Sequence, residues 1–355
     1  MAKVRVLLIT YRRPKLLPRA IASLRGQTLT DWVCDVHNDD PADEGPRQLL
    51  TEIGDPRIRL VEPPRKLGVV RSFNAAHEAT TEPYQSLLED DNWWEPDFLA
   101  KLVSLLDAHP DRELVWANMR YWYEQPDGAW TRDERCVWNL SDGPPRVFHW
   151  PNLLQFDDCI YSNGAMLVRS RAAGRLVMPP QVASDLMEQS RERMMNFPIT
   201  LVPEPLANFA VTRQTVRSNN YVVWGESQTL LGAAFLANVP MTDEARAALW
   251  ARRRTARPRG TSSLINAGLV QRDWAFLRHA RAMDWLMYLR GAIRRPLGAW
   301  RILRVKRRRR WDWEWLNGLI AARTSEARAH GFRTLGVDSL LDKQAPGQHG
   351  VEGNT

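Results

Sequence analysis

Residues 87–96 read LLEDDNWWEP, an apolar run that ends in three consecutive carboxylates, Glu89, Asp90 and Asp91. An amide, two tryptophans and, two positions on, Pro96 follow. In an open α/β sheet, ligands gather beyond the carboxyl ends of the strands. A buried strand that surfaces into a knot of acid is therefore either a solvated turn or the edge of a site, and the neighbouring sequence bears on which.

Outward from this point, short β-type runs alternate with amphipathic stretches. VRVLLIT (4–10), WVCDVHN (32–38), RIRLVE (57–62), YQSLL (84–88) and LVWANM (114–119) read as strands. Helices are expected from Pro14 to Arg25, around 44–53, from Val70 to Thr80 and from Pro96 to His109, with Pro14 and Pro96 in first turns, where a missing N–H costs nothing. Strands spaced by helices of this length predict an α/β fold with a mostly parallel central sheet. Thr10, Tyr11 and Arg13 then follow strand one, Asn38, Asp39 and Asp40 follow strand two, and the acidic knot follows strand four. Three strands deliver polar groups to one edge. No G-x-G-x-x-G and no P-loop sequence accounts for that edge.

The chain of 355 residues, 44% hydrophobic and 25% charged, is long enough for one large or two ordinary globular domains. Cys34, Cys136 and Cys159 lack metal-ligand spacing and read as reduced thiols of a cytoplasmic protein. The N-terminal apolar stretch is too short for a signal peptide, and no run approaches the ~18 apolar residues of a bilayer span.

The net charge of +8 is unevenly placed. Residues 251–310 hold 18 Arg or Lys against two acids, a local +16 that leaves the remainder at −8. Two regions with different partners follow from this. The expected boundaries are a catalytic domain over 1–220, a helical Arg/Trp-rich region over 221–342 and a disordered tail over 343–355. Ahead of the boundary, AMLVR (165–169) reads as a strand. SDLMEQSRERMMN (184–196) reads as a helix capped by Ser184, with Leu186, Met187, Met194 and Met195 as its apolar face.

Clustered carboxylates raise one another's pKa unless a cation intervenes. Oxygen ligands without nearby His or Cys suit Mg²⁺ or Mn²⁺, ions that bridge carboxylates to substrate phosphates. The acidic edge thus implies a phosphorylated or diphosphate ligand.

With these blocks in view, the sequence resembles the family 2 glycosyltransferases of GT-A fold over about residues 3–215. The resemblance rests on VLLITYRRPKLLPRAIASLRGQT (6–28), VHNDDPAD (36–43), KLGVVRSFNAA (66–76) and LLEDDNWWEPDFL (87–99), in the family's order. It implies a metal-dependent, inverting transfer of sugar from a nucleoside-diphosphate donor to a hydroxyl acceptor. Thr10, Tyr11 and Asp39 would line the base pocket, where an aspartate can accept the imino N–H of uracil or thymine and so favours a UDP- or dTDP-sugar. Arg13 joins that donor set, and Arg71 would lie near the diphosphate, with Asn74 either a contact or a packing residue. The acidic knot matches the family's D-x-D motif with Glu89 in place of the usual first Asp. Asp91 would be the metal ligand, for Mn²⁺ or Mg²⁺, with Glu89 and Asp90 near the ribose or a metal-bound water. Asp185, which precedes VPEPLA (202–207) as the family's base does, would take the acceptor proton. Asp157 and Asp158 are alternative carboxylates for base or acceptor, and Trp93 and Trp94 are expected to pack. The family's His after the L-A segment is missing here, leaving Arg213 or Arg217 for that contact.

Arginines beside tryptophans over 274–310 fit either a helix on an anionic membrane surface, which suits a lipid-linked acceptor, or a packed subdomain with a solvated basic face. The alternatives of different class are a sugar-nucleotide-binding pseudoenzyme, a nucleotidyltransferase, and a nucleic-acid-binding protein using the basic segment. No recognised nucleic-acid module is visible, so no nucleic-acid partner is expected.

Overall fold

The aliphatic run Val4–Thr10 forms a strand paired on both sides. In chain order the strands are β1 Val4–Thr10, β2 Trp32–Asn38, β3 Ile58–Val61, β4 Tyr84–Glu89, β5 Trp93–Trp94, β6 Leu114–Glu124, β7 Trp130–Cys136, β8 Arg146–Phe148, β9 Met166–Arg169 and β10 Ile199–Val211. The computed structural model describes residues 2–140, 143–160, 162–213, 221–256 and 260–337.

One mixed sheet runs β3-β2-β1-β4-β9-β6-β10-β5. The first four strands are parallel, as the alternating pattern predicts. β9 then lies antiparallel between β4 and β6, while β6 and β10 are parallel to each other. With helices on both faces, β1 and β4 are buried along nearly their whole length, which explains the apolar runs Val6–Ile9 and Leu87–Leu88.

Departures from the expected elements have local causes. β10 passes through Pro203 and Pro205, residues that argue against a strand, and accommodates them by shifts of register on either side of Pro205. The first helix begins at Leu17 and not at Pro14, so the first-turn proline is Pro18. The helix expected to Thr80 ends at Asn74 and continues as a single tight turn, Ala75–His77. Ser184 does not cap its helix: Ser184–Leu186 is a tight turn after Ala183, and the helix proper is Met187–Met194.

That helix is also less apolar inside than its pattern suggests, since Ser190, Arg191, Glu192 and Arg193 are all buried. It is wedged between the sheet domain and the C-terminal helix Arg310–Ala329. Buried charge is tolerated where it is hydrogen-bonded. Here Glu192 accepts from Gln155 Nε2 at 2.7 Å, Arg191 donates to Asn163 Oδ1 at 3.1 Å, and Arg193 donates to the Gln189 carbonyl at 2.7 Å.

Three hydrophobic clusters result. The largest packs the sheet, and a small one, Leu7, Ala76 and Leu87, lies on the other face of β1 and β4. The third joins Leu153, Phe156, Val182 and Leu186 to Leu230, Phe235, Trp250 and Phe276 of the C-terminal helices. Among the described residues, no helix is long and apolar enough to cross a membrane. The tail expected over 343–355 lies outside the described residues, as does Arg217.

Candidate active site

The carboxyl ends of β1, β2 and β4 open into a cleft of about 1670 Å³, whose far side is built by the C-terminal helices. Its walls differ in charge. Asp39, Glu89, Asp90, Asp91, Asp157, Asp158, Asp185 and Glu188 come from the sheet domain, whereas the C-terminal helices contribute Arg252, Arg253, Arg294 and Arg295 and, among the described residues, no acid.

The acidic knot is tied to strand one. Asp90 Oδ2 accepts from Thr10 Oγ1 at 2.9 Å and from the Tyr11 amide at 3.3 Å, and its Oδ1 accepts from Arg13 Nη1 at 3.1 Å. The same Arg13 nitrogen pairs with Asp91. Thus Arg13, expected in the donor set, bridges two acids of the D-x-D-like segment. Burial, then the neighbouring Asp91, pushes the Asp90 carboxyl up to about 6. Burial of the Glu89 carboxyl, reinforced by Asp91, Glu188 and Asp90, pushes it up to about 8. One arginine does not neutralise this concentration of carboxylates.

Glu89 is held from below. Its Oε2 accepts from Asn92 Nδ2 at 2.7 Å, and Gly164 packs so closely that a Cβ there would lie 2.8 Å from Glu89 Oε2 and 3.0 Å from Asn92 Nδ2. Trp94 donates Nε1–H to the Gly164 carbonyl at 2.7 Å and stacks on Phe98. Trp93 packs beneath the Arg19 guanidinium, 3.8 Å from its ring centre. Both tryptophans therefore pack.

At the β2 end, the Asp39 carboxylate accepts from the amides of Leu67 at 2.8 Å and Gly68 at 3.2 Å. Gly68 has φ +82°, a left-handed conformation that glycine adopts without strain. Asp39 thus anchors the KLGVV loop as well as lining the cleft. The loop returns Lys66 over the Tyr11 ring, its Nζ 3.7 Å from the centroid. Lys66 opens the block 66–76, in which only Arg71 and Asn74 are expected near the donor.

Arg71 is not brought to the cleft. On the helix Val69–Asn74 the cleft takes Val69, Ser72 and Phe73, which share one face, and Arg71 falls on the opposite, exposed face. Asn74 is a packing residue that pins the Met178 backbone through both N–H (3.0 Å) and C=O (2.8 Å).

Asp185 lies on the cleft wall, gripped from the C-terminal region. Arg309 Nη1 is 2.8 Å from Asp185 Oδ2 and its Nη2 3.2 Å from Oδ1, while Ser227 Oγ donates to the same Oδ2. Asp312 takes Arg309 Nε at 2.8 Å from behind. Burial alone would lower the Arg309 pKa, but Asp185 and Asp312 more than offset it and hold the guanidinium charged. No local signal links Arg309 to Asp185, because the two are brought together only by tertiary packing. Asp157 is paired with Arg253, and Asp158 Oδ1 accepts from the Cys159 amide at 2.8 Å. Arg213 is exposed, with its amide on Glu124.

Among the described residues, no three His, Cys, Asp or Glu side chains form a ready-made metal shell. What the chain offers a hard cation is the Asp91 carboxylate at the rim of an under-neutralised acidic cluster, a donor set of oxygen alone.

Comparison with known proteins agrees with this architecture. Residues 5–170 match the model of the glycosyl transferase family 2. The crystal structure of TarS 1–349 from S. aureus superposes with a TM-score of 0.53 over 96% of each chain at 15% identity. Its complex with UDP-GlcNAc gives the same TM-score and coverage at 14% identity. Protein y4gI of Sinorhizobium fredii (strain NBRC 101917 / NGR234) is 30% identical over 107 residues, a stretch covering 30% of this chain and 12% of that relative. Residues 5–170 thus resemble glycosyl transferase family 2, and the chain shares the GT-A-like fold of TarS.

Proposed function

We propose that this chain transfers a sugar from a nucleoside-diphosphate donor to a hydroxyl acceptor, with inversion, in the assembly of a cell-surface polysaccharide or glycoconjugate. Residues 1–220 act as the catalytic unit and 221–342 as a helical region that completes the cleft. The observation that carries this reading is the convergence of Tyr11, Asp39 and the 89–91 carboxylates on one end of a cleft whose wall also holds Asp185, with Thr10 buried behind Asp90 as its hydrogen-bond donor. A uridine donor is favoured by the acidic Asp39 beside Tyr11 and by the UDP and UDP-GlcNAc complexes of the structurally similar TarS.

In this reading the donor lies along the β1–β4 edge, its base between Tyr11, Lys66 and Asp39. Asp91 would hold a divalent cation, which when bound would supply positive charge against the leaving diphosphate. Asp185 accepts the acceptor's proton as the hydroxyl oxygen bonds to the anomeric carbon from the side away from the diphosphate. Arg309 and Ser227 fix the carboxylate for that role, and the arginine-lined wall is left to the acceptor.

The deciding experiment is a thermal-shift screen of UDP-, dTDP- and GDP-sugars with and without Mn²⁺, followed by assay of nucleoside-diphosphate release with candidate acceptors. Stabilisation by a nucleotide sugar with acceptor-dependent release of diphosphate is the expected result. Binding without turnover for every acceptor class would favour the pseudoenzyme reading, and no binding at all would overturn both.

A further inference from the structure

The exposed hydrophobic side chains of this protein are concentrated in one place. On the helix Ala282–Arg294, Met283, Leu286, Leu289 and Ile293 face solvent, and on the next helix, Pro296–Leu303, Leu297, Trp300 and Leu303 do the same. Ile293 and Leu297 are each 79% exposed, and Met283 is 63% exposed. The spacing of three and four places each set on a single helix face. The opposite faces are inward, carrying Asp284 and Tyr288 on the first helix and Gly298 and Ile302 on the second. Water-facing stripes of this length on consecutive helices mark an interaction surface.

Charge identifies what it meets. Arg290 and Arg294 flank the first stripe and Arg304 the second, all exposed, with the Arg304 guanidinium 5.2 Å from the Trp300 ring centre. Between 274 and 310 the sole acid in the sequence is Asp284, which is buried and paired with Arg254. An apolar face rimmed by arginine and tryptophan, with no exposed acid, complements an anionic lipid interface. A second copy of the chain is a poor occupant, because an isologous contact would set these arginines against each other. No described helix is long and apolar enough to span a bilayer, so the helices would lie on the surface.

We propose that the outer face of helices 282–294 and 296–303 docks this protein on anionic membranes. The same helices give Tyr288, Gly291, Ala292 and Ala299 to the cleft, so docking holds the basic end of the cleft at the lipid surface. This rests on the transferase reading only for its purpose, which is to present the cleft to a lipid-linked acceptor.

The test is co-sedimentation of the full chain with phosphatidylglycerol-containing vesicles and with pure phosphatidylcholine vesicles, at low and high salt. The chain should sediment with the anionic vesicles alone and be released by salt. The double variant I293E/L297E, and separately R290E/R304E, should each bind at least about tenfold more weakly while keeping the wild-type melting temperature. Absence of anionic-vesicle binding, or unchanged binding by I293E/L297E, overturns the proposal. A dimer in sedimentation equilibrium that I293E/L297E dissociates would also overturn it, in favour of self-association. Donor binding is read by thermal shift on the same samples. Vesicle binding without donor binding would sink the transferase reading and leave the docking; the reverse would sink the docking alone.

Discussion

Arg309 grips the Asp185 carboxylate in a two-pronged ion pair, Nη1 to Oδ2 at 2.8 Å and Nη2 to Oδ1 at 3.2 Å, across 124 residues of sequence. The run KRRRR (306–310) that reads as a solvated basic tract thus sends one side chain inward to the proposed base. A planar fork held by Asp312 and matched to both carboxylate oxygens fixes orientation in a way an ammonium does not. Arg309→Ala should therefore lower kcat by roughly 10- to 100-fold, the scale of a misplaced catalytic group, with little change in donor affinity. Arg309→Lys should recover only part of the loss. Equal activity of Ala and wild type would show that Asp185 needs no such positioning.

The parallel half of the sheet was legible because its strands are short apolar runs separated by helices, and the site edge because three strand ends carry polar residues. What escaped were features set by tertiary packing. β10 hides behind two prolines, and in the expected helix around Met187–Met194 nothing local shows that Ser190, Arg191, Glu192 and Arg193 become buried. Arg71 carried the expected residue type in the expected block, but helical phase turns it outward. Arg309 and Glu188 have no sequence signal linking them to Asp185 and Glu89, and the Gly164 contact with Glu89 depends on β9 lying beside β4.

Asp91 and Asp185 have separable roles. Asp91→Asn should abolish Mn²⁺-dependent stabilisation by the donor as well as transfer. Asp185→Asn should leave donor binding within about twofold and reduce transfer by 10² or more, the usual scale of a lost general base. Calorimetric titration with the donor, with and without Mn²⁺, tests the first; turnover of the second at near-wild-type rates would remove Asp185 as base.

Asp39 carries a structural duty that its expected role in base recognition does not include. Removing its carboxylate in Asp39→Ala leaves the Leu67 and Gly68 amides without their acceptor, at a cost of about 1–3 kcal/mol. The loop that bears Lys66 should loosen, so the melting temperature falls and the donor KM rises together. Asp39→Asn keeps one acceptor oxygen and should fall between. A raised KM with unchanged stability in both variants would restrict Asp39 to ligand contact.

A stability switch with pH lies far from the cleft. Asp35 is buried, and although burial alone would raise its pKa, hydrogen bonds from Arg59 and Arg5 pull it below the ordinary carboxylate value. A lowered native pKa stabilises the fold at pH values above the unfolded pKa of about 4, and that contribution is lost as pH falls through the native value. Asp35→Asn should thus cost roughly 1.5–3 kcal/mol at pH 7 and progressively less below pH 4. Urea unfolding of both proteins across that range checks it: a difference that does not shrink in acid would mean that the ion pairs are not its source.

Gly164 and Glu89 should behave as one unit. Gly164 has no left-handed backbone angle, so a methyl group there is opposed only by contact, 2.8 Å from Glu89 Oε2 and 3.0 Å from Asn92 Nδ2. Gly164→Ala should cost about 1–3 kcal/mol and, by displacing Glu89 from Asn92, weaken donor binding. Glu89→Asp withdraws the carboxylate by one methylene and restores the Asp of the D-x-D pattern, which frees the space the methyl needs. The double variant should accordingly be more stable than the sum of the two single effects allows, with a coupling of about 0.5–3 kcal/mol. Urea unfolding of the four proteins in this cycle measures that coupling, and simple additivity would show that Glu89 does not need the glycine beneath it.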